Sequence, residues 1–334
     1  MNRFGNQFSI SLYGESHGEA VGVIIDGCPA GLSLSAQDFA ADLDRRRGGR
    51  FGTTARKEAD SPRFGAGLYR GRTTGAPIQI EFANMAQRSE DYRDLEATPR
   101  PGHADLTARI KYGGYNDPRG GGMFSGRMTA PLVAAGCVAK KLIAPVHVNA
   151  DLVEIGGERD MDVAVKKAKQ TGDSLGGLIE AVARKVPAGL GEPFFDGLES
   201  TLAHLLFSIP GVKGLEFGDG FRLAAMRGSE SNDEILDRKG KTATNHAGGL
   251  YGGISGGQNL RLRLAVKPSS SIGLPQQTIN LDTGKSVPLM VTGRHDVCIA
   301  LRFPPIVEAA IAIVLADAML CAGRLPRVLK EGKR

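Results

Sequence analysis

The run 306–322 constrains the fold of this chain most. It is apolar on nearly every face of the helix that its Ala-, Ile- and Leu-rich composition favours, so it has to be covered on all sides. It also carries Glu308 and Asp317. Two carboxylates in so short a segment point to a helix inside a protein core, filling about 305–322, and not to a membrane span. The 334 residues and 41% apolar content can bury such a helix, in one large domain or two modest ones.

Other segments show their period plainly. Phe8, Ile10 and Leu12 alternate with Ser9 and Ser11, as in a half-buried strand, and 20–26 has strand-like composition. Ser35 and Asp38 form a weak capping box for a helix that carries Phe39 and Leu43 on one face and stops at Gly48. Ile78, Ile80 and Phe82 predict another strand. A helix is expected over 129–144, with Pro131 in its first turn, and a short amphipathic one over 201–207. Leu260, Leu262, Leu264 and Val266, alternating with Arg261 and Arg263, make the cleanest strand in the chain. No strand runs into a GxGxxG turn, and no Pro- or Ser-rich linker divides the sequence, so pattern alone gives an α+β fold in a single compact domain over 1–334.

The 46 glycines are about twice the ordinary share. Glycine weakens regular elements, so the excess points to tight turns and to backbone lying close to a ligand. Net charge is +6, with basic residues gathered at Arg45, Arg46, Arg47, Arg50, Arg56 and Lys57. That clustering suits a pocket for a small anion better than a nucleic-acid track, and Trp is absent from the few aromatics. Cys28, Cys137, Cys298 and Cys321 have no paired spacing, so buried free thiols in a reducing compartment are expected, without a metal. The N-terminus has no basic segment followed by an apolar run, so a cytoplasmic protein is expected.

Six short constellations could carry chemistry. Gly14-Glu15-Ser16-His17-Gly18 follows a strand and puts a histidine beside a serine. In Arg100-Pro101-Gly102-His103-Ala104-Asp105 the aspartate could orient the imidazole. The arginines of 45–57 could grip carboxylate or phosphate bidentately. The glycine-rich run 116–127 enters a helix, as an anion cradle does. Lys267-Pro268-Ser269-Ser270-Ser271 offers hydroxyls and an ammonium to a phosphate monoester, and Gly293-Arg294-His295-Asp296 brings base, acid and guanidinium together. Read singly, each is as well explained by an ordinary turn or a surface ion pair. His147 and His204 look like core or surface filler, and His246 is ambiguous. Together the constellations describe an enzyme acting on a small phosphorylated anion with acid–base histidines. A phosphate-ester hydrolase using Ser16 or His17 as nucleophile, and a basic RNA-binding protein, remain the alternatives.

In order, these pieces resemble chorismate synthase: 8–18, 45–47 with 53–58, 73–78, 91–92, 100–105, 172–174, 189–193, 245–249, 252–255, 267–268 and 294–296. The resemblance covers nearly the whole chain. It implies a β-α-β sandwich with helices between two sheets, and a homotetramer. It implies a lyase that removes phosphate from 5-enolpyruvylshikimate 3-phosphate by 1,4-anti elimination. Reduced FMN is required without net redox change, and NADPH is a candidate reductant; nucleic-acid and membrane partners are not implied. By the same resemblance, His17 protonates the departing phosphate, His103 protonates the reduced flavin, and Ser16 and Asp296 relay a proton. Phe124, Ser125, Gly211, Gly252, Lys267, Ser269, Ser270, Ser271 and Arg294 fall on flavin positions. Arg46, Arg50 and Arg127 fall on positions that bind the anionic substrate.

Overall fold

The computed structural model describes residues 2–55, 58–85, 95–238, 240–291 and 295–330. In chain order it runs through β1 (Arg3–Phe4), β2 (Ser9–Gly14), β3 (Ala20–Asp26), α1 (Gln37–Arg46), β4 (Arg63–Ala66), β5 (Leu68–Tyr69), β6 (Arg72–Thr73) and β7 (Ile78–Ala83). Next come α2 (Asp105–Tyr112), α3 (Thr129–Leu142), β8 (His147–Ile155), α4 (Met161–Thr171), β9 (Gly177–Arg184), α5 (Leu198–Ser208), β10 (Val212–Phe217) and α6 (Gly228–Ser231). The chain closes with β11 (Leu250–Tyr251), β12 (Ile254–Ser255), β13 (Leu260–Val266), β14 (Gln276–Ile279), β15 (Ser286–Leu289) and α7 (Pro304–Cys321).

Two antiparallel sheets enclose a helical layer. One has the order β1-β2-β3-β7-β4 and the other β10-β13-β9-β8. Helix α3 packs on β3 and β7, helix α7 packs on β8 and β9, and the two helices pack on each other. The sheets form because their inner faces are apolar at every second residue. On β3 and β7, Val21 pairs with Phe82, Val23 with Ile80 and Ile25 with Ile78, and all six are fully buried. On β13 the four predicted inward residues are buried while Arg261 and Ala265 are exposed. This is the expected helix-filled sandwich, and one continuous cluster of buried residues runs through both sheets and both helices.

Small residues let α3 and α7 approach closely; a Cβ added at Gly136 would run into Ala309. Among the described residues α7 is the one helix long and apolar enough to cross a membrane, yet 83% of it is buried inside the fold. Its two acids are both partnered. Glu308 accepts from Arg45 at 2.8 and 2.7 Å, from Lys140 Nζ at 2.6 Å and from the Ala150 N–H at 3.1 Å. Asp317 accepts the backbone N–H groups of Asn6, Gln7 and Phe8 at 2.9, 2.6 and 2.8 Å, which pins the start of the first sheet to the core helix.

Some expectations need correction. Cys28, Cys137 and Cys298 are buried, and burial pushes the Cys28 thiol up to about 12, but Cys321 is exposed where α7 ends. The basic cluster does not point one way: Arg45 turns onto Glu308 and Asp42, away from the pocket lined by Arg46 and Arg47. Helix α1 stops at Arg46, short of Gly48, and Ser35 donates to Asp38 ahead of it. Helices α2 and α4 and the partners of β13 in the second sheet were not anticipated.

Candidate active site

The site is assembled around the glycine run before α3. Gly120, Gly121 and Gly122 have φ of 59°, 80° and 51°, which only glycine adopts without strain. Space demands glycine as well. A Cβ on Gly120 would lie 2.6 Å from His17 Nε2 and 2.9 Å from Ser16 Oγ, and one on Gly121 would lie 3.1 Å from His103 Cε1. Two adjacent glycines therefore let the backbone pass between two histidines that are far apart in sequence.

Each histidine is held from behind. Ser16 and His17, both buried, lie in the turn after β2. The Ser16 N–H donates to the Gly122 carbonyl at 3.1 Å, and Asn84 Nδ2 donates to the carbonyls of Glu15 and Gly18 at 3.0 and 2.9 Å. Ser16 Oγ is buried and has no protein partner. His103 lies just ahead of α2, with Nδ1 2.6 Å from Asp105 Oδ1. Burial alone would raise the pKa of Asp105, but hydrogen bonds from Arg100 and His103 hold it well below the carboxylate range. Arg100 spans this group, reaching Asp105 through Nε and Nη2 at 2.7 and 2.8 Å and Ser271 Oγ through Nη1 at 3.1 Å.

Beside them opens a cavity of about 550 Å³. Arg46, Arg127, Arg302, Lys213 and Lys267 give it a cationic lining, and Phe207, Ile209, Ile299 and Phe303 give it an apolar wall. Arg46 and Arg127 both pair with Asp60, Arg46 at 2.7 Å. Burial, outweighing the attraction of Asp60, draws the Arg46 guanidinium down to about 10. Lys267 Nζ donates to the Gly102 carbonyl at 2.6 Å and to Ser270 Oγ at 2.9 Å. Its pKa is lowered by burial and then by the charge of Lys213. Asp296 accepts from the Thr54 N–H at 2.9 Å and from Arg302 at 3.2 Å.

His103, Asp296, Phe124, Ser125, Gly211, Lys267, Ser269, Ser270, Ser271, Arg46 and Arg127 thus all line one cavity. His17 and Ser16 meet it across Gly120. Arg50 is not in the lining; it is half exposed and donates to the Asp44 carbonyl at 2.8 Å. Gly252 lies in the exposed turn between β11 and β12, also outside the lining. No hydrogen bond joins Ser16 to Asp296. Arg294, with the pairs 56–57 and 91–92, lies outside the described residues. The sequence reading missed Asp60, Lys213, Arg302 and the apolar wall. None of these has a spacing signal, because each meets the site through long-range packing.

A cavity with clustered cations, an imidazole oriented by a carboxylate, a second histidine across Gly120 and one apolar wall defines an enzyme for a small anion. The protein-family model described as chorismate synthase matches residues 8–320. A chorismate synthase of Chitinophaga pinensis is 54% identical, over 99% of this chain and 100% of that protein. One from Dehalococcoides mccartyi is 43% identical over 99% and 100%, and one from Thermococcus gammatolerans is 44% identical over 95% and 97%. A solved structure described as a crystal structure of chorismate synthase superposes with a TM-score of 0.74 at 26% identity, over 95% of this chain and 93% of that one. The chain belongs to the chorismate synthase family and is, with it, a carbon–oxygen lyase.

Proposed function

We propose that this protein converts 5-enolpyruvylshikimate 3-phosphate to chorismate and inorganic phosphate, with reduced FMN bound in the cavity. The observation that carries the reading is the placement of His17 and His103 against adjacent glycines of one loop, at the edge of a cavity lined by arginines and lysines. A 1,4-anti elimination breaks a C–O bond to phosphate and a poorly acidic C–H bond. It therefore needs an acid at the leaving oxygen and a route for the lost proton.

The residues present fit FMN. The wall of Phe207, Ile209, Ile299 and Phe303 suits a flat apolar ring system, and Lys267 with Ser269 and Ser270 suits a phosphate monoester. At Gly211, with φ 99°, a Cβ would come within 3.0 Å of Ile299 Cδ1, so the bare backbone keeps that wall open. Phe124, Ser125 and Ser271 line the same cavity; Gly252, outside that lining, and Arg294 belong to the proposed flavin set by resemblance alone. Reduced FMN, when bound, supplies electron density that helps the phosphate leave without net redox change.

The chain's own residues do the rest. Arg46 and Arg127, with Arg50 assigned by resemblance, neutralise the substrate's anionic groups. His17 gives a proton from Nε2 to the departing phosphate. Asp105 holds the His103 ring through Nδ1 at 2.6 Å, which orients Nε2 to protonate the reduced flavin. Ser16 Oγ, buried and without a protein partner, and the Asp296 carboxylate carry away the proton lost from carbon. The family resemblance extends the proposal to a cytoplasmic homotetramer with 1–334 as one unit, NADPH as reductant, and no nucleic-acid or membrane partner.

The deciding experiment is anaerobic turnover of 5-enolpyruvylshikimate 3-phosphate with dithionite-reduced FMN, following chorismate absorbance and phosphate together. Equimolar products, lost when FMN is omitted or left oxidised, are expected. Phosphate without chorismate would move the assignment to a hydrolase. Salt-sensitive polyanion binding without turnover would move it to an RNA-binding protein.

A further inference from the structure

Asp60 lies between the two arginines assigned to the substrate. Its side chain is fully buried, and Arg46 Nη2 and Arg127 Nη1 converge on its two oxygens. Its backbone has φ 48°, in the left-handed region that aspartate and asparagine tolerate better than most residues. Burial works against its ionisation, but the two guanidiniums outweigh burial and lower its pKa. Three buried charges are thus held in one fixed array at the cavity wall.

The donors of the two arginines are used unequally. Arg127 gives Nε to Asn84 at 2.8 Å, Nη1 to Asp60 and Nη2 to the Ala83 carbonyl at 3.2 Å, three of its five N–H groups. Arg46 gives Nη1 to Thr129 at 3.2 Å and Nη2 to Asp60 at 2.7 Å. Its Nε is buried with no protein partner. Without the carboxylate the two like charges would repel, and each side chain would lose the bond that aims it.

We infer that Asp60 is a positioning residue of the substrate site: its carboxylate sets Arg46 and Arg127 side by side at the cavity wall, where the pair can meet an anionic group of the substrate. The substrate's name rests on the lyase reading above; the arginine geometry does not. The side chain of Asp60 is itself fully buried between the two arginines. It fixes ground-state and transition-state binding alike, so its loss shows mainly in KM.

The test uses the full FMN-loaded chain with Asp60→Asn, which keeps the tolerated backbone and removes the charge, and Asp60→Glu, which keeps the charge and displaces it. Calorimetry with 5-enolpyruvylshikimate 3-phosphate and with inorganic phosphate is run beside steady-state kinetics, FMN titration and thermal melting. In Asp60→Asn, KM and the substrate dissociation constant are expected to rise about tenfold, with kcat and FMN affinity near those of the parent. Should Asp60→Asn not fold, Asp60→Glu decides, with a rise of about fivefold expected from the misaimed arginines. A folded variant with parental KM and substrate affinity overturns the inference, as does equal loss of FMN and substrate binding. A parent that makes no chorismate sinks the lyase reading alone. In that case weaker phosphate binding in the variants still supports the role of Asp60, and unchanged binding, or none in the parent, overturns it.

Discussion

Asp105 Oδ1 sits 2.6 Å from Nδ1 of His103, and the same carboxylate accepts three bonds from Arg100, one from its backbone N–H and two from its guanidinium. One acid therefore sets the tautomer of the imidazole and is itself locked by a buried guanidinium.

Asp105→Asn should lower turnover by roughly 10²-fold, because the ring loses the partner that fixes Nδ1 as its protonated nitrogen. The carboxylate's pKa is depressed in the folded protein, so its stabilisation is present above the ordinary carboxylate range and lost as pH falls through the folded value. The gap in melting temperature between parent and variant should be widest near neutrality and narrow below about pH 4. A gap constant with pH would contradict this.

Gly120→Ala tests the loop between the histidines. A left-handed alanine costs about 1 kcal/mol or more, and its Cβ would fall on His17 and Ser16. Turnover should drop about 100-fold, since small misplacements of reacting groups cost that much. Parental kcat in this variant would mean that His17 does not work from its observed position.

His17→Ala should slow turnover by about 10²- to 10⁴-fold while FMN binds as in the parent, because His17 lies across Gly120 and outside the cavity lining. Single-turnover absorbance and an FMN fluorescence titration on the same sample separate the two effects. Undiminished turnover would remove His17 from the mechanism.

Glu308→Gln probes the core without touching the site. It leaves Arg45 and Lys140 short of a buried counter-charge and should cost about 3 kcal/mol in urea unfolding. Turnover of the folded fraction at 25 °C should stay near parental. A loss of activity without a loss of stability would show that the helical layer couples to the cavity.

The parts of the fold that were legible are those whose signal is local. Backbone geometry gives β7 and β13 a period of two, and α7 is apolar on nearly every face, so their residues announce themselves in a short window; β2 does not alternate, because Ser9 is buried beside Ile10. Strand β9 was missed because its buried positions are Ile179, Ala181 and Ala183, where small alanines blur the alternation. The Arg100, His103 and Asp105 contacts could be suspected because they span six residues and close on themselves.

The sequence by itself determined the core helix with its two acids, the alternating strands, and the glycines and histidines that carry the family resemblance. Only the tertiary structure decided that Gly120 lies against His17, that Asp60 joins Arg46 to Arg127, that Arg45 turns to the core, and that Phe207 and Ile299 wall the cavity. The physical reason is one of range. Side-chain period and turn chemistry are set by neighbours along the chain. The meeting of residues 17 and 120, or 60 and 127, is set by how two sheets close on α3 and α7, and that depends on all the packing energies together.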